Sequence, residues 1–475
     1  MKTRNNFCHC RQDRNNHHYS NCFLKLFVLS LMFILNSCKK QDTFLSAKTN
    51  AALAVPLTLD DYQSLLQNQG VFNIKDPGLG EIATDDFYVT TPVWSSLATT
   101  QEIKGYIWDK VVYDAGANIS DWSNPYKQVY YANTVINALP KLTIGASDQE
   151  KYNVVKGNAL FYRAVAFYNL LQIFATPYDK KTAGTDLGIP LRLNSDLKVR
   201  STRSTIQQCY NQILGDLKTA LPLLPEQAAV ITSASQLAVE GYLARIYLAI
   251  NDYENALKYA DECLKSYGGL TDFNDLAPLK SGLSSTFLAE DIFHATFAGY
   301  GIISPNLRSI TDSTLYASYD PDDLRKSLFF NLKSGLPYFK GTYDFKGNQY
   351  SGIANDEIYL IRAECLARAG DTEGALADLN SLLSKRWIKG SFVPVKAADS
   401  NEALSEILKE RRKELLYRGL RWTDLRRLNK DPNYAVTLFR NVNGNKYTLE
   451  PNSPRYAWPI PDNEIQVNNL PQNPR

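Results

Sequence analysis

Chemistry requires titratable, nucleophilic or metal-binding side chains at workable spacing, and this 475-residue chain offers few such groupings. A glycoside hydrolase needs two carboxylates flanking the scissile bond, and Glu290, Asp320, Asp322 and Asp323 are the carboxylates available for that role in one loop-rich stretch. The four histidines are His9, His17, His18 and His294. Three of them stand with Cys8 and Cys10 in CHCRQDRNNHH, which offers the residue types zinc takes at a spacing that fits no standard site. His294, in EDIFHATFAG, has no nucleophile-elbow pattern such as G-x-S-x-G to serve and reads as a structural histidine. Cys209, Cys263 and Cys365 fall inside helical patterns and read as small buried thiols. No metal, no cofactor and no catalysis is expected.

Binding chemistry is better represented. The segment from about Thr271 to Asn355 is rich in Gly, Ser, Tyr, Phe and Asp, as in SPNLRSITDSTLYASYDPDDLRKSLFF and GLPYFKGTYDFKGNQYSG. Aromatic rings stack on the apolar faces of sugars or pack against peptide side chains, while Asp, Asn and Arg fix orientation. On that chemistry the candidate ligand contacts are Tyr88 and Trp94 in an early loop, and Tyr316, Tyr319, Asp320, Arg325, Tyr338 and Tyr343 in the later segment. Packing alone also accounts for many of the 29 tyrosines.

The stretch ERRKELLYRGLRWTDLRRL, Glu410 to Leu428, has the density of Arg and Lys expected of a nucleic-acid-binding helix. Overall charge argues against that. The formal net charge is +3, and beyond residue 37 the balance is 47 bases against 48 acids, without the basic excess that phosphate binding requires. Leu404, Ile407, Leu408, Leu415 and Leu416 make an apolar stripe interrupted by Arg411 and Arg412, with Glu410, Glu414 and Asp424 near them. An internal ion-pair cluster explains the pattern better, since Arg is suited to paired contact with carboxylates.

The elements that must carry these residues are helical. Thr58 or Asp60 is placed to cap a first helix bearing Tyr62, Leu65 and Leu66. Further helices are expected in NPYKQVYYANTVINALPKL, in QEKYNVVKGNALFYRAVAFYNLLQIFATP and after STRST up to Pro222 and Pro225. Two stretches resemble each other: Val239 to Lys265 and Ile358 to Arg386. Each has a helix with small Ala residues, a turn (Asn251-Asp252 or Gly370-Asp371) and a second helix, the logic of tetratricopeptide repeats. The segment between them, 271–355, is a loop-rich insertion, and functional loops are commonly mounted on rigid scaffolds.

The apolar run FLKLFVLSLMFIL, Phe23 to Leu35, is shorter than the roughly 20 residues of a membrane span and follows a basic segment, as a secretory signal does. It leads to Leu35-Asn36-Ser37-Cys38, which resembles a bacterial lipobox with Cys38 as the lipidated residue. Residues 1–37 are expected to be a signal peptide and 38–57 a lipidated tether holding the protein to a membrane. Lys39 fits the outer membrane by resemblance to Gram-negative lipoproteins. The body divides into 58–270 and 271–475.

Here the residues resemble a known family. Glu410, Arg411, Glu414, Leu415, Gly419, Arg421, Asp424, Leu425 and Arg427 match E-R-x-x-E-L-x-x-E-G-x-R-x-x-D-L-x-R, the C-terminal signature of the SusD/RagB outer-membrane nutrient-binding lipoproteins. The chain departs from it at Arg418, where the family prefers Glu. Pro459, Ile460, Pro461, Glu464, Ile465, Gln472, Asn473 and Pro474 are similar to its closing motif, and DLGIPLRL and DPDDLRKSLFF look like its interior. The resemblance implies a mostly α fold, a tetratricopeptide-like helix-pair scaffold with irregular ligand-binding loops. It also implies a surface-facing lid over a SusC-like TonB-dependent transporter that captures oligosaccharide, or peptide in some branches, and breaks no bond. A glycoside hydrolase and a tetratricopeptide adaptor for protein partners are the rival readings, and no nucleic acid is expected.

Overall fold

The computed structural model describes residues 56–276, 287–305, 308–341, 343 and 348–475. Residues 1–37, expected to be a signal peptide, the Cys-His cluster within them, Cys38 and nearly all of the expected tether 38–57 lie outside the described residues. Helices of five or more residues are numbered below, and residues Thr58–Arg475 form one unit.

Helix α1 (Leu59–Leu66) opens on a capping box: the Thr58 hydroxyl accepts from Asp61 N–H and the Asp61 carboxylate accepts from Thr58 N–H, satisfying donors a helix start leaves open. Strand β1 (Phe87–Tyr88) and the short helices α2 (Thr91–Ser95) and α3 (Thr100–Tyr106) follow. Next come α4 (Ser120–Ala138) and α5 (Gln149–Phe174), packed against each other. From Ala159 to Tyr168 every residue of α5 is buried, the mark of a helix enclosed on all sides. It also packs on α6 (Ile206–Ala220), which starts at a Thr205/Gln208 capping box after strands β2 (Leu187–Pro190) and β3 (Arg203–Thr205).

The two look-alike stretches fold alike. In the first, α7 (Gln236–Ala249) turns into α8 (Tyr253–Ser266) through Asn251 at φ +60°, and the Asp252 carboxylate caps α8 by accepting from Asn255 N–H. Ahead of the second lie β4 (Asp291–Phe293), β5 (Ile310–Thr311), α9 (Ser313–Ala317), α10 (Leu324–Phe329), β6 (Phe330–Lys333), β7 (Leu336–Phe339) and β8 (Ile353–Ala354). Then α11 (Asn355–Arg368) turns into α12 (Thr372–Ser384) through Gly370 at φ +88°, with Asp371 capping α12. A left-handed residue followed by a capping Asp reverses the chain both times. Helix α8 packs directly on α11, so the two pairs are neighbours in space although the strands β4 to β8 lie between them in sequence. The fold is mostly α, with tetratricopeptide-like helix pairs as its scaffold.

After α13 (Ser400–Glu414), which packs on α11, the chain breaks at Tyr417 (φ +57°) and Gly419 (φ +72°) before α14 (Arg421–Leu428). A hairpin, β9 (Leu438–Val442) with β10 (Asn445–Leu449), turns through Asn443-Gly444, and α15 (Asp462–Asn468) lies near the end. The three cysteines among the described residues, Cys209, Cys263 and Cys365, are buried and free. His294 is buried, its Nδ1 lies 2.6 Å from the Asp291 carboxylate, and its ring meets Phe287 and Tyr350 edge-on.

Candidate ligand-binding face

The loop-rich parts of the chain meet in one four-stranded antiparallel sheet, ordered β1-β5-β7-β6. Side chains alternate between the faces of a sheet. On the inner face Phe87, Phe330 and Phe339 are buried, and Tyr417 stacks on Phe339 at 4.5 Å and on Phe87 at 5.8 Å. Tyr417 is presented by the break between α13 and α14, so the interruption of the apolar period places a ring under the sheet. Pairing sets Tyr88 opposite Ile310, Ile310 opposite Tyr338, and Tyr338 opposite Asn331. That row forms the outer face, with a buried Ile310 flanked by two half-buried tyrosines. With strands about 4.8 Å apart, Tyr88 and Tyr338 sit about 10 Å from each other. The Lys333 ammonium lies 5.1 Å over the Tyr338 ring.

The basic stretch holds this sheet from below. Arg421 grips the Asp85 carboxylate with two 2.8 Å hydrogen bonds, and Arg412 donates to the Asp86 carboxylate and to the Asp85 carbonyl. Those aspartates immediately precede β1, and Asp86 O accepts from Asp312 N–H just past β5. Burial pushes the Asp85 carboxyl up, but Arg421 and Arg412 together outweigh it and hold the group below the usual range. On the other flank Arg325, wholly buried, binds Asp323, Glu410 and Glu414. Glu414 also accepts from Arg386, which reaches Glu290. Arg411 and Arg427 share Asp424, and Arg427 pairs with both oxygens of Glu364 on α11. The signature residues thus make a buried ionic hub joining the helix pairs to the sheet.

Arg418, at the position where the family prefers Glu, is met by Asp356 and two rings: Nη1 lies 2.5 Å from the Asp356 carboxyl, and the guanidinium sits 4.8 and 4.7 Å from the Tyr343 and Tyr350 ring centroids. Burial raises the Asp356 carboxyl to about 7 despite Arg418. Oxygens of Glu290, Asp356 and Glu414 converge to within 4.8 Å of one another. Arg386, Arg418 and Arg325 contact these carboxylates, so the donor set is that of an ion-pair core.

The structure sorts the candidate contacts. Tyr88 and Tyr338 come together on the outer face. Trp94 is half-buried on α2, its Nε1–H donating to Ile103 O. Tyr316 is half-buried, edge-on to Phe330, with the Lys326 ammonium 5.2 Å from its ring. Asp320 is exposed and accepts from Asp322 N–H. Three of the candidates turn inward. Tyr319 is buried and donates to Lys413 O; Arg325 is spent on three carboxylates; Tyr343 stacks on Tyr350 at 4.3 Å and donates to Glu290. A buried guanidinium amid carboxylates is held by its ion pairs, which is why Arg325 serves the frame. Of the hydrolase candidates, Glu290 and Asp323 are locked in the hub, while Asp320 and Asp322 reach the surface. Sequence reasoning missed Asn331 and Lys333 on the outer face. The alternation in FNLK and LPYF around Ser334-Gly335, both at positive φ, was the available signal.

Among the described residues no helix is long and apolar enough to cross a membrane. Residues 39–248 match a family model described as starch-binding and associating with the outer membrane, and residues 347–475 match the SusD family model. The SusD-like protein P2 of Formosa agariphila is 25% identical over 437 residues, covering 76% of this chain and 81% of that protein. A SusD superfamily protein from Bacteroides thetaiotaomicron superposes with a TM-score of 0.68 at 24% identity, covering 88% of this chain and 100% of its own. A structure described as a putative sugar-binding protein from Bacteroides vulgatus superposes with a TM-score of 0.69 at 24% identity, covering 89% and 99%. With both family models matched, at opposite ends of one continuous helical scaffold, the chain belongs to the SusD/RagB family.

Proposed function

We propose that this protein is a lipid-anchored, outward-facing outer-membrane protein that captures oligosaccharide on the β1-β5-β7-β6 face. It passes the ligand to a SusC-like TonB-dependent transporter without breaking a bond. The observation that carries the reading is the outer row Tyr88–Ile310–Tyr338. Two rings about 10 Å apart on a backed sheet suit an extended ligand with repeated apolar faces, and Asn331 and Lys333 beside them supply polar contacts. The carboxylates Glu290 and Asp323, which a hydrolase would need free, are instead neutralised by arginines.

Calorimetric titration of the Cys38-truncated protein with maltoheptaose, cellohexaose, xylohexaose and laminarihexaose tests the reading. Tyr338→Ala is expected to weaken the binding of whichever sugar titrates by at least tenfold, at unchanged melting temperature. Release of shorter sugars, or failure of all four to bind at millimolar concentration, refutes it. Co-purification of a large β-barrel with the full-length lipoprotein from detergent-solubilised outer membranes tests the transporter role.

A further inference from the structure

A second cleft lies on a different part of the molecule, away from the sheet in sequence and in its elements. One wall is α4, where Trp122, Tyr126 and Tyr130 recur every four residues and fall on a single stripe. The other wall is the segment after β2, with Arg192, Asn194 and Ser201, and α15 adds Glu464. The cleft holds about 260 Å³, just below the roughly 300–1,000 Å³ of sites that enclose a whole drug-sized ligand, as suits an open groove that takes part of a longer chain.

Its walls are built and fixed. Tyr126 Oη donates to Pro190 O at 2.9 Å, and the buried Asn133 side chain donates to Arg192 O at 2.7 Å. Arg192 Nη1 donates to Ser201 Oγ at 2.9 Å and Nη2 to Asp196 O at 3.1 Å, while Ser201 N–H donates to the Asn468 side chain. Trp122 packs against Tyr126 and Phe174 at 4.9 and 5.0 Å, so the aromatic floor is braced from behind. Among the described residues those bonds leave Arg192 Nε and Asn194 Nδ2 as donors, and Glu464 Oε1 as an acceptor, without a hydrogen-bond partner. Tyr130 at the open end is 39% exposed, and Leu197 beside it 72%.

We propose that this cleft is a second carbohydrate-binding site, taking two or three residues of a neutral oligosaccharide. Tyr126 and Tyr130, the accessible part of the stripe above the buried Trp122, offer aromatic surface to the C–H faces of pyranoses, and donors and an acceptor at one rim match neighbouring hydroxyls, which are both. The proposal rests on the sugar-binding reading above and adds a second place for the ligand.

The test uses the same four oligosaccharides, each to 10 mM, read by saturation-transfer NMR. The samples are the wild type, the sheet variant Tyr88→Ala/Tyr338→Ala, and the cleft variants Tyr130→Ala and Glu464→Gln. Binding that survives in the sheet variant and falls at least fivefold in that background on adding either cleft substitution supports the second site. Binding abolished by the sheet variant alone overturns the cleft and leaves the sheet reading standing. Absence of any binding in the wild type overturns both. Glu464→Gln, at a half-buried surface position, keeps the proposal testable should Tyr130→Ala disturb α4.

Discussion

Replacing Glu414 by Gln removes one anion from the centre of the hub while keeping the side chain's size. Glu414 Oε1 accepts from Arg386 Nε at 2.7 Å and Oε2 from Arg325 Nη1 at 2.9 Å, with all three side chains essentially buried. Breaking a buried pair by removing one partner costs about 3–5 kcal/mol. Here the loss belongs at the low end, about 3 kcal/mol, because Arg325 keeps Asp323 and Glu410, and Arg386 keeps Glu290. The neighbouring Asp356 makes the loss depend on pH. Burial first, and then the charges of Glu290 and Glu414, raise its carboxyl to about 7 against the opposing pull of Arg418. In the wild type Asp356 is therefore protonated at pH 5.5 and its raised value erodes stability as pH climbs from about 4 to 7. Without Glu414 that carboxyl ionises at lower pH, standing in for the missing charge, so the variant loses less over the same interval. The expected deficit is about 3 kcal/mol at pH 5.5, narrowing by 1 kcal/mol or more at pH 8. Urea denaturation followed by tryptophan fluorescence at the two pH values measures it, with Lys409→Ala at the exposed Glu406 pair as a control expected to change stability by less than about 1 kcal/mol. A deficit below 1 kcal/mol at pH 5.5, or one that widens towards pH 8, would refute the ionic-hub reasoning.

Two further outcomes follow from the packing. Glu81 is fully buried, and burial, then the nearby Asp86 charge, raises its carboxyl to about 8; since the unfolded chain ionises near 4.5, its contribution to stability is lost as pH rises from there to about 8. Glu81→Gln should therefore show a flatter melting temperature between pH 5 and 8 than the wild type, and parallel profiles would contradict the assignment. Gly105→Ala, ordinarily favourable in a helix by about 1 kcal/mol, drives its Cβ into the buried Trp458 ring, and calorimetry should find it net destabilising by about 1–2 kcal/mol.

Much of the scaffold was legible because its rules are local. The two Asp-capped turns at Asn251 and Gly370, the capping residues Thr58 and Thr205, and the break at Gly419 are decided by a few neighbouring residues. The four-stranded sheet was not legible, because β1 and β5 are two residues long and their partners are far away in sequence. A short run has no period of its own, so only tertiary context makes it a strand. The same limit explains the site. Tyr319, Tyr338 and Tyr343 look alike in sequence, and which ring turns outward depends on a register set by pairing with β5 and on where the hub draws Arg325.

That dependence also gives the signature its physical meaning. Strands of two residues make too few backbone bonds to hold a binding row in place, so the position of Tyr88 has to come from outside the sheet. It comes from Arg412 and Arg421 on the Asp85-Asp86 pair just before β1, and from Tyr417 stacked beneath. On the far side Asp323 and Arg325 tie the start of α10, which runs directly into β6, to Glu410 and Glu414. Charged pairs of this kind contribute little net stability over a well-packed apolar core, yet they are directional and costly to mispair. A face whose outer residues touch solvent on one side can then vary those residues without disturbing its frame, because none of the anchoring contacts passes through the outer row.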